Sequence, residues 1–469
     1  MVDESVLFGT VDELAAGLRD GEFTSRELTE ASIDRLRTIG GELNAVVTVT
    51  EERALEAADR MDAELAAGED RGPLHGIPYG VKDLLATRDY PTTWGAAPFR
   101  DQQFDYDATV IERLDAAGGV LVAKLAMIEL AGGFGYDAAD ASFTGPTRNP
   151  WNGDAWTCGS SSGPGAAVPA GLVGFAVGSE TWGSIVCPAA FSGAVGFRPT
   201  YGRVSRHGAM ALSYTMDKLG PMCRSAAGCE HVYRAVAGPD ERDPTTADRP
   251  ACAPAPGTRE RPRIAVLEGA GEGEQESVRE NYRRSVEIVR EFAAVEEIAL
   301  PDLPYASVAG LIIDAEAGSA FENLVESGEA LELSNEASRV GGYAQQVVLA
   351  KDYIDAMRVR TKMQRALDEA LVGYDAVLVP ARASVASPLE GSFVEYFSEY
   401  STTPMGAASN VAGLPGVAVP NGFGERGLPT AVEFVGRAYA DLTVLDVARE
   451  YQSRTDHVDY ADLAGEVGA

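Results

Sequence analysis

The sequence predicts an α/β fold, because strand-like and helix-like segments alternate along much of the chain. In the C-terminal half, RIAVLEG and VEEIAL have the short apolar pattern of strands, and a helical pattern over about 275–293 separates them. A helix near 305–326 and a long helical stretch over about 343–371 follow. The strand candidates DAVLVP, GLPGVAVP and PTAVEFVG come next, with a helix near 442–453 after them. No internal repeat is evident, so strands from both ends of the chain are expected to join one sheet.

The N-terminal part predicts helices first and strands afterwards. Two helix starts have the spacing of the capping box, in which a threonine precedes a glutamate by three residues. Glycine and proline end the helical region, and the next apolar run predicts a short strand that finishes in a buried charge pair. The capping pairs are Thr10 with Glu13 and Thr24 with Glu27, a further helical pattern covers 51–68, and the strand candidates lie in 72–86 and 118–127.

The length of 469 residues suits two or three ordinary domains as well as one large α/β enzyme. Between about residues 235 and 263 the composition shifts to proline, alanine and charged residues, which predicts a surface excursion. We expect a single domain over residues 1–469 that includes this excursion.

The charge balance predicts a protein adapted to high salt. The chain carries 71 acidic and 39 basic residues, for a formal net charge of −32. Such self-repulsion opposes compact folding in dilute buffer, but the screening length falls to about 3 Å at 1 M salt. The alternative is an ordinary acidic protein, although the scarcity of lysine favours the halophilic interpretation. The acidity also argues against nucleic-acid binding by direct charge attraction. The five lysines are Lys82, Lys124, Lys218, Lys351 and Lys362.

Composition and termini predict a cytoplasmic protein without a metal or a membrane span. No run of about 20 apolar residues occurs, and the N-terminal MVDESVLFGT is acidic where a secretory signal would be basic. The cysteines form no CxxC pair and no zinc-ligand spacing with the four histidines, so neither a structural metal nor a disulfide framework is expected. We interpret them as small buried residues of a reducing compartment. They are Cys158, Cys187, Cys223, Cys229 and Cys252.

The stretch 158–205 combines serine and glycine clusters with small apolar residues and very little charge. Its apolar residues would be left in water if it were a linker, so the stretch is predicted to be core with hydroxyl groups placed inside it. Within it, GSSSG matches the G-x-S-x-G nucleophile elbow, with Ser161 in the nucleophile position. The elbow requires a hydrophobic strand before it, yet RNPWNGDAWTC is typical of a loop. None of His207, His231 and His457 stands in a motif that marks it as the partner base.

A serine nucleophile without histidine needs another base, and a neutral lysine can serve. Lys82 is the candidate, because apolar residues flank it in IPYGVKDLL. Burial can lower a lysine pKa from about 10.4 to near 7. Two alternatives for Lys82 are a side chain that reaches solvent and an ion pair with Asp83.

These motifs together resemble the amidase signature family. The resemblance is carried by LHGIPYGVKD, GPTRNPWN, CGSSSGPGAAVPAGL and VGSETWGSIVCPAAFSGAVGFRPTYGRVSRHG, and more weakly by SNVAGLPGVAVPNGF. It is strongest over residues 74–222, which we take as the core of the domain. The resemblance implies one large mixed central β-sheet covered by helices on both faces. It also implies a cofactor-free hydrolase that acts on a small-molecule amide, with a homodimer left open.

In this family a Ser-cisSer-Lys triad hydrolyses amides, and the resemblance places its members on Ser184, Ser160 and Lys82. Ser184 would be the nucleophile that forms an acyl-enzyme, Ser160 the proton relay on a cis peptide, and Lys82 the base. The backbone of Thr181, Trp182, Gly183 and Ser184 would form the oxyanion hole. The resemblance does not identify the residues that bind the rest of the substrate.

Two departures from the family pattern separate the candidate functions. Trp182 stands where the DTGGSIR version often has glycine, and Val186 stands where that version has arginine. The chain is more similar to the ETxGSIVCPA variant of stand-alone amidases of the peptide-amidase kind. One rival is the glutaminase subunit of glutamyl-tRNA(Gln) amidotransferase, its A subunit, which shares GPTRNPW and PTYGRVSR. The other rival is a non-catalytic binding subunit. The Trp182 indole either walls a substrate pocket or serves packing alone.

Overall fold

A mixed β-sheet of eleven strands runs through the protein and is flanked by helices. The computed structural model describes residues 2–249 and 261–463. The predicted α/β fold with a large mixed sheet is confirmed. The strands are β1 Val46–Val49, β2 Pro78–Lys82, β3 Val120–Leu125, β4 Arg148–Asn149, β5 Asn152–Trp156, β6 Phe175–Glu180, β7 Val195–Arg198, β8 Lys218–Cys223, β9 Arg263–Leu267, β10 Ala294–Ile298, β11 Ala376–Pro380, β12 Gly416–Phe423 and β13 Pro429–Val435.

The strand order of the large sheet is β1-β3-β2-β6-β8-β7-β12-β13-β11-β9-β10, and β4 and β5 form a separate two-stranded sheet. Strands β3, β2 and β6 run parallel, and β1 pairs antiparallel with β3 as the edge strand at that end. Strands β11, β9 and β10 run parallel at the other end. The strands between these two groups pair antiparallel. Strands from both halves of the chain therefore share one sheet.

The helices follow the predicted capping and periodicity in most places. Both capping boxes are present, and each has its threonine side chain bonded to the amide three residues on. The helices are α1 Val11–Asp20, α2 Ser25–Arg37, α3 Ile39–Glu42, α4 Glu51–Ala66, α5 Thr109–Ala116, α6 Ser162–Ala167, α7 Val186–Ser192, α8 Ala226–Val236, α9 Glu276–Phe292, α10 Tyr305–Ala320, α11 Glu322–Glu326, α12 Glu336–Gln345, α13 Ala350–Ala370, α14 Phe393–Phe397, α15 Met405–Ala412 and α16 Asp441–Gln452. Short 3₁₀ helices cover Glu4–Phe8, Ala97–Phe99, Glu129–Gly132, Glu329–Glu332, Glu425–Gly427 and Tyr460–Leu463.

Three local predictions differ from the structure. The helix predicted over 305–326 is divided at Phe321, which leaves helical geometry and packs edge-on against Phe134. The helix predicted over 343–371 is two helices, α12 and α13, and the first begins earlier than predicted. The segment RNPWNGDAWTC, expected as a loop, contains the two short strands β4 and β5. The Phe321 contact and the pairing of β4 with β5 join residues that periodicity does not relate.

Part of the predicted surface excursion at 235–263 lies outside the described residues, namely 250–260. The described part begins in α8 and continues as turns in which Asp243 is buried against the backbone of Arg206. The single domain and the excursion therefore stay predictions. Across 2–249 and 261–463, no helix is long and apolar enough to cross a membrane.

A buried charge pair is present at the end of β2, as predicted, but its partners differ from those expected. Asp83 pairs with Lys124 of β3, with 2.8 Å between Nζ and Oδ1, and both side chains are fully buried. Thr93 donates its backbone N–H to the Asp83 carboxylate at 3.0 Å. Lys82 and Asp83 point to different partners, because consecutive residues of an extended chain face opposite sides. The alternative in which Asp83 pairs with Lys82 is therefore wrong.

We expect Asp83→Ala to lower the free energy of unfolding by about 3 kcal/mol, because it leaves the Lys124 ammonium buried without its partner. Denaturant unfolding at a fixed molar KCl concentration measures the loss. Asp352→Ala is the matched control, because it breaks the exposed pair between Lys351 and Asp352 and is expected to leave stability unchanged. Equal stability of the Asp83 variant and the control would contradict the prediction.

Candidate active site

The site is built at the carboxyl ends of two parallel neighbouring strands. Lys82 is the last residue of β2, and Ser179 lies one residue before the end of β6. In parallel strands these ends lie at the same edge of the sheet, where ligand sites of α/β proteins are commonly found. The Lys82 ammonium donates to the Ser179 hydroxyl at 2.9 Å. The apolar run that buries β2 therefore also places a lysine beside a serine from the next strand.

Ser160 reaches the same lysine from the loop between β5 and α6. The Lys82 ammonium donates to the Ser160 hydroxyl at 2.7 Å. The Gly159–Ser160 peptide is cis, as the family resemblance implied. The backbone here is closely packed, because a Cβ on Gly159 would lie 2.5 Å from Ile128, and a Cβ on Gly163 would lie 2.4 Å from the Ala126 backbone nitrogen. Only residues without side chains fit these two positions.

Burial sets the protonation of Lys82. The side chain is completely buried, and burial lowers the pKa of Lys82 to about 7, although the carboxylates of Asp217 and Glu180 act in the opposite direction. Among the described residues Lys82 forms hydrogen bonds but no ion pair. The alternative in which Lys82 reaches solvent is wrong. At neutral pH a large fraction of Lys82 is thus uncharged and able to accept a proton.

The turn after β6 carries the predicted oxyanion-hole residues. Gly183 has φ of 86°, a conformation that favours glycine, whereas Trp182 is absent from the positive-φ residues, so the tryptophan is accommodated without strain. Trp182 is 40% exposed and lines the cavity next to Ser184. The indole is thus part of a cavity wall rather than of the core. Among the described residues, no acceptor takes the backbone N–H groups of Trp182, Gly183 or Ser184, so these groups are available to a ligand.

A buried ion network fixes this turn from behind. The Glu180 carboxylate accepts the N–H groups of Ile185 at 2.8 Å and Val186 at 3.0 Å. Arg198 binds Glu180 at 2.8 Å and Glu433 of β13 at 2.9 Å. Burial alone would raise the pKa of Glu180, but Arg198 and other cationic neighbours hold it at about 2. A permanently charged Glu180 therefore anchors the start of α7 and the turn before it.

Thr181, at the start of the turn, is held by two adjacent ionisable residues. Its hydroxyl donates to the Asp217 carboxylate, and its carbonyl accepts from the Lys218 ammonium at 3.3 Å. Burial raises the pKa of Asp217 and lowers the pKa of Lys218 to about 7. These contacts orient the first peptide of the turn.

Ser184 lies on the wall of a cavity of about 250 Å³. The residue is half-buried, and it shares the cavity wall with Gly159, which precedes Ser160. Within the described ranges the Ser184 hydroxyl makes no hydrogen bond to Ser160. The structure thus brings Lys82, Ser160 and Ser179 into direct contact, and it places Ser184 at the adjoining cavity with its hydroxyl unengaged.

Comparison with known proteins identifies the family. The family model described as Amidase matches residues 27–445. The chain belongs to the amidase family. The glutamyl-tRNA(Gln) amidotransferase A subunit of Moorella thermoacetica is 36% identical to it, with 96% of this chain and 97% of that protein covered. The family predicted from the motifs is confirmed, and the protein is a hydrolase of amide C–N bonds.

Solved structures of the same family share the fold over almost the whole chain. Peptide amidase from Stenotrophomonas maltophilia has a TM-score of 0.82 and 30% identity, covering 95% of this chain and 96% of its own. The glutamyl-tRNA(Gln) amidotransferase A subunit of Thermotoga maritima has a TM-score of 0.79 and 27% identity, covering 98% of each chain. The amidase fold therefore hosts proteins of both kinds that the sequence left as rivals.

Two further serines of the amidase GSSSG loop have structural partners. Ser161 donates to the Ser179 carbonyl at 3.1 Å and accepts the Ser179 N–H at 3.3 Å. Ser162 begins α6 and accepts a hydrogen bond from Thr147 at 3.0 Å. Both hydrogen bonds of the Ser161 hydroxyl are made to the Ser179 backbone, so Ser161 ties the loop to β6.

Sequence reasoning missed Ser179, Asp217 and Arg198. The family motifs do not single them out, and their partners lie at least 18 residues away along the chain. For Ser179 a signal existed, because a polar residue at the carboxyl end of a buried parallel strand is a common site residue. For Arg198 the signal was an arginine inside the apolar run GAVGFRP, which requires a buried counter-charge.

The interpretation of the cysteines as reduced is wrong for two of them. Cys158 and Cys187 form a disulfide, with their Cα atoms 5.9 Å apart. Cys158 follows β5, while Cys187 lies in the first turn of α7, and the fold alone brings these separate segments together. Cys223 and Cys229 are free and buried, and Cys252 lies outside the described residues. No cluster of three or more acidic, histidine or cysteine residues suited to a metal occurs in the described part of the chain.

Proposed function

We propose that this amidase hydrolyses a carboxylic acid amide through an acyl-enzyme on Ser184, with Ser160 as proton relay and Lys82 as base. The observation that carries the proposal is the 2.7 Å contact between the Lys82 ammonium nitrogen and the Ser160 hydroxyl, made by a fully buried lysine. A partly neutral lysine that is hydrogen-bonded to a serine is positioned to accept the proton of that serine.

The proton path follows from the order of the groups. Neutral Lys82 takes the proton of Ser160, and Ser160 takes the proton of Ser184 as the Ser184 oxygen attacks the amide carbonyl. The relay then runs in reverse and delivers a proton to the leaving nitrogen, so that ammonia or an amine departs. Water repeats the cycle on the acyl-enzyme and releases the carboxylate. Ser179, the second partner of Lys82, holds the lysine head while its protonation changes.

The oxyanion of the tetrahedral intermediate would be held by the turn Thr181–Ser184. The unengaged N–H groups of Trp182, Gly183 and Ser184 support this role. Each such donor contributes about 10²-fold or more to the rate when it is held rigidly. The Glu180 contacts to Ile185 and Val186 supply that rigidity, because they fix the peptides that follow the turn.

A second candidate is the glutaminase subunit of a glutamyl-tRNA(Gln) amidotransferase, which would release ammonia for a partner. The 36% identity to such a protein over nearly the whole chain favours it. Trp182 and Val186 count against it, because they follow the stand-alone amidase pattern. A non-catalytic binding subunit is disfavoured by the joint presence of Lys82, Ser160 and Ser184, which binding alone does not require.

We expect Ser184→Ala to abolish amide turnover and Lys82→Ala to lower kcat/KM by about 10³-fold or more at neutral pH, since the nucleophile and its base are lost. Release of ammonia from simple primary amides by the purified chain measures this. The matched controls are Ser453→Ala and Lys362→Ala, which change exposed residues. Labelling of Ser184 by a serine-reactive phosphonate reports the nucleophile independently. Unchanged turnover by the Ser184 variant would refute the proposal, and activity that appears only with a partner protein would favour the second candidate.

We expect kcat/KM to rise with pH through about 7, the pKa of Lys82, because only the neutral amine accepts a proton. The Asp217 carboxylate raises that pKa, so Asp217→Asn is expected to move the rise toward lower pH. Asp352→Asn, an exposed change, is the control. A rise that stays in place or moves to higher pH in the Asp217 variant would show that Lys82 is not the titrating base.

We propose that the protein works in a cytoplasm with a high salt concentration. The net charge of −32 and the five lysines support it. Cytoplasmic location and a homodimer stay predictions of the sequence, and the disulfide between Cys158 and Cys187 is a bond that a reducing cytoplasm disfavours.

We expect activity and stability to increase from dilute buffer to molar KCl, because added salt screens the repulsion among acidic side chains. Activity and the thermal midpoint measured against KCl concentration test this. Sucrose at matched water activity is the control for effects of excluded solute. Full and lasting activity in dilute buffer would contradict the halophilic proposal.

A further inference from the structure

The cavity beside Ser184 contains an arginine without a polar partner. Arg382 follows β11 and lines the cavity together with Trp182 and Gly183. One nitrogen of its guanidinium lies 3.9 Å from the position that a Cβ on Gly183 would occupy. Within residues 2–249 and 261–463, Arg382 makes neither a hydrogen bond nor an ion pair. Arg382 is half-buried at the cavity wall, and an arginine in such a place normally engages its donors, so their freedom points to a ligand.

Aromatic rings hold the Arg382 head in place without using its N–H groups. Its guanidinium carbon lies 5.7 Å from the ring centres of both Phe191 and Phe397. Contacts of this kind occupy the faces of the guanidinium and leave its edge donors free. Arg382 is therefore positioned before any ligand arrives, and little side-chain entropy is lost on binding.

Two other donors at the same cavity lack acceptors. The Trp156 indole N–H is buried and unpaired. The Tyr136 hydroxyl makes no hydrogen bond within the described residues and lies 3.1 Å from the Cβ position of Gly159. Both residues line the cavity that contains Ser184. We refer to Arg382, Tyr136 and Trp156 as the donor cluster. Three hydrogen-bond donors without an acceptor among the described residues make a site for an oxygen-rich anion.

Among the described residues, none that lines the cavity is an aspartate or a glutamate. The carboxylates that act on Arg382 are Glu180 and Glu433, and both are bound by Arg198 rather than by Arg382. A substrate carboxylate can therefore approach the guanidinium without displacing an internal partner. A substrate ammonium group would find no counter-charge on the wall.

We propose that Arg382 binds a carboxylate of the amide substrate, and that the donor cluster selects short carboxylate-bearing amides that have no ammonium group beside the carboxylate. The inference rests on the proposed function, because Ser184 must be the nucleophile for the cavity to be the substrate site. Arg382 reaches Gly183, and the Cα of Ser184 is about 3.8 Å further along the chain. The carboxylate and the scissile carbonyl must therefore lie only a few bonds apart. The carboxylate belongs to either the acyl or the amine part of the substrate.

Two matched pairs of substrates, assayed at a fixed molar KCl concentration, distinguish a carboxylate in the acyl part of the substrate from one in the amine part. Succinamate and butyramide differ by a carboxylate in the acyl part, and N-acetylglycine and N-ethylacetamide differ by one in the amine part. We expect the charged member of one pair to exceed its neutral partner in kcat/KM by about 10- to 100-fold, which is the usual effect of a charged hydrogen bond. Asparagine, which is succinamate with an ammonium group beside the carboxylate, tests the exclusion of that group and is expected to be hydrolysed less efficiently than succinamate.

Variants of Arg382 connect this preference to the residue. Arg382→Gln is expected to remove the advantage of the charged substrate, mainly through KM, and to affect the neutral substrate far less. Arg382→Lys is expected to retain part of the advantage that Arg382→Gln loses, because lysine keeps the positive charge but cannot form the bidentate hydrogen bonds of arginine. Arg365→Gln, a change of an exposed arginine, is the matched control. Competitive inhibition by succinate, weakened in Arg382→Gln, provides a readout that does not depend on turnover.

The outcomes separate this inference from the proposed function. Equal turnover of charged and neutral substrates, or an equal loss for both in Arg382→Gln, would overturn the role of Arg382 while Ser184 remains the nucleophile. Preference for asparagine over succinamate would overturn the exclusion of the ammonium group. Retained turnover in Ser184→Ala would instead remove the proposed function itself. Measurable butyramide hydrolysis by Arg382→Gln shows that the variant is folded.

Discussion

The burial of one ammonium group is the constraint on which the active site depends. Lys82 can be uncharged near neutral pH only because strands on both sides and the GSSSG loop exclude water from it. The same burial requires that its N–H groups be satisfied, and the hydroxyls of Ser160 and Ser179 meet that requirement. Burial thus determines both the protonation state of Lys82 and the position of its ammonium group.

A second layer of buried charge keeps the reactive turn in place. Arg198 joins Glu180 and Glu433, and Glu180 in turn holds the amides at the start of α7. The network connects β6, β7 and β13, which come from distant parts of the chain. Its charges are costly to bury, and they are tolerated because each has a partner. The N–H groups of the turn are then free to face the cavity, because they are not used in hydrogen bonds within the turn.

Much of this protein could be predicted from local signals. The capping pairs at Thr10 and Thr24 and most strands were visible, because caps and apolar runs are local properties of the sequence. The importance of Lys82 was visible from its apolar flanks and from the scarcity of lysine. The breaks in the helices and the strands β4 and β5 were not visible, because packing against distant residues decides them.

The sequence by itself determined the fold class, the family and the residues that carry the motif, since these depend on composition and order along the chain. The tertiary structure alone decided which groups meet. It joined Asp83 to Lys124 instead of Lys82, placed Ser179 beside Lys82, linked Cys158 to Cys187 and left Arg382 unpaired in the cavity. These contacts join segments that are far apart in the sequence. Their partners follow from the register of the sheet and the path of the loops, which no local pattern encodes.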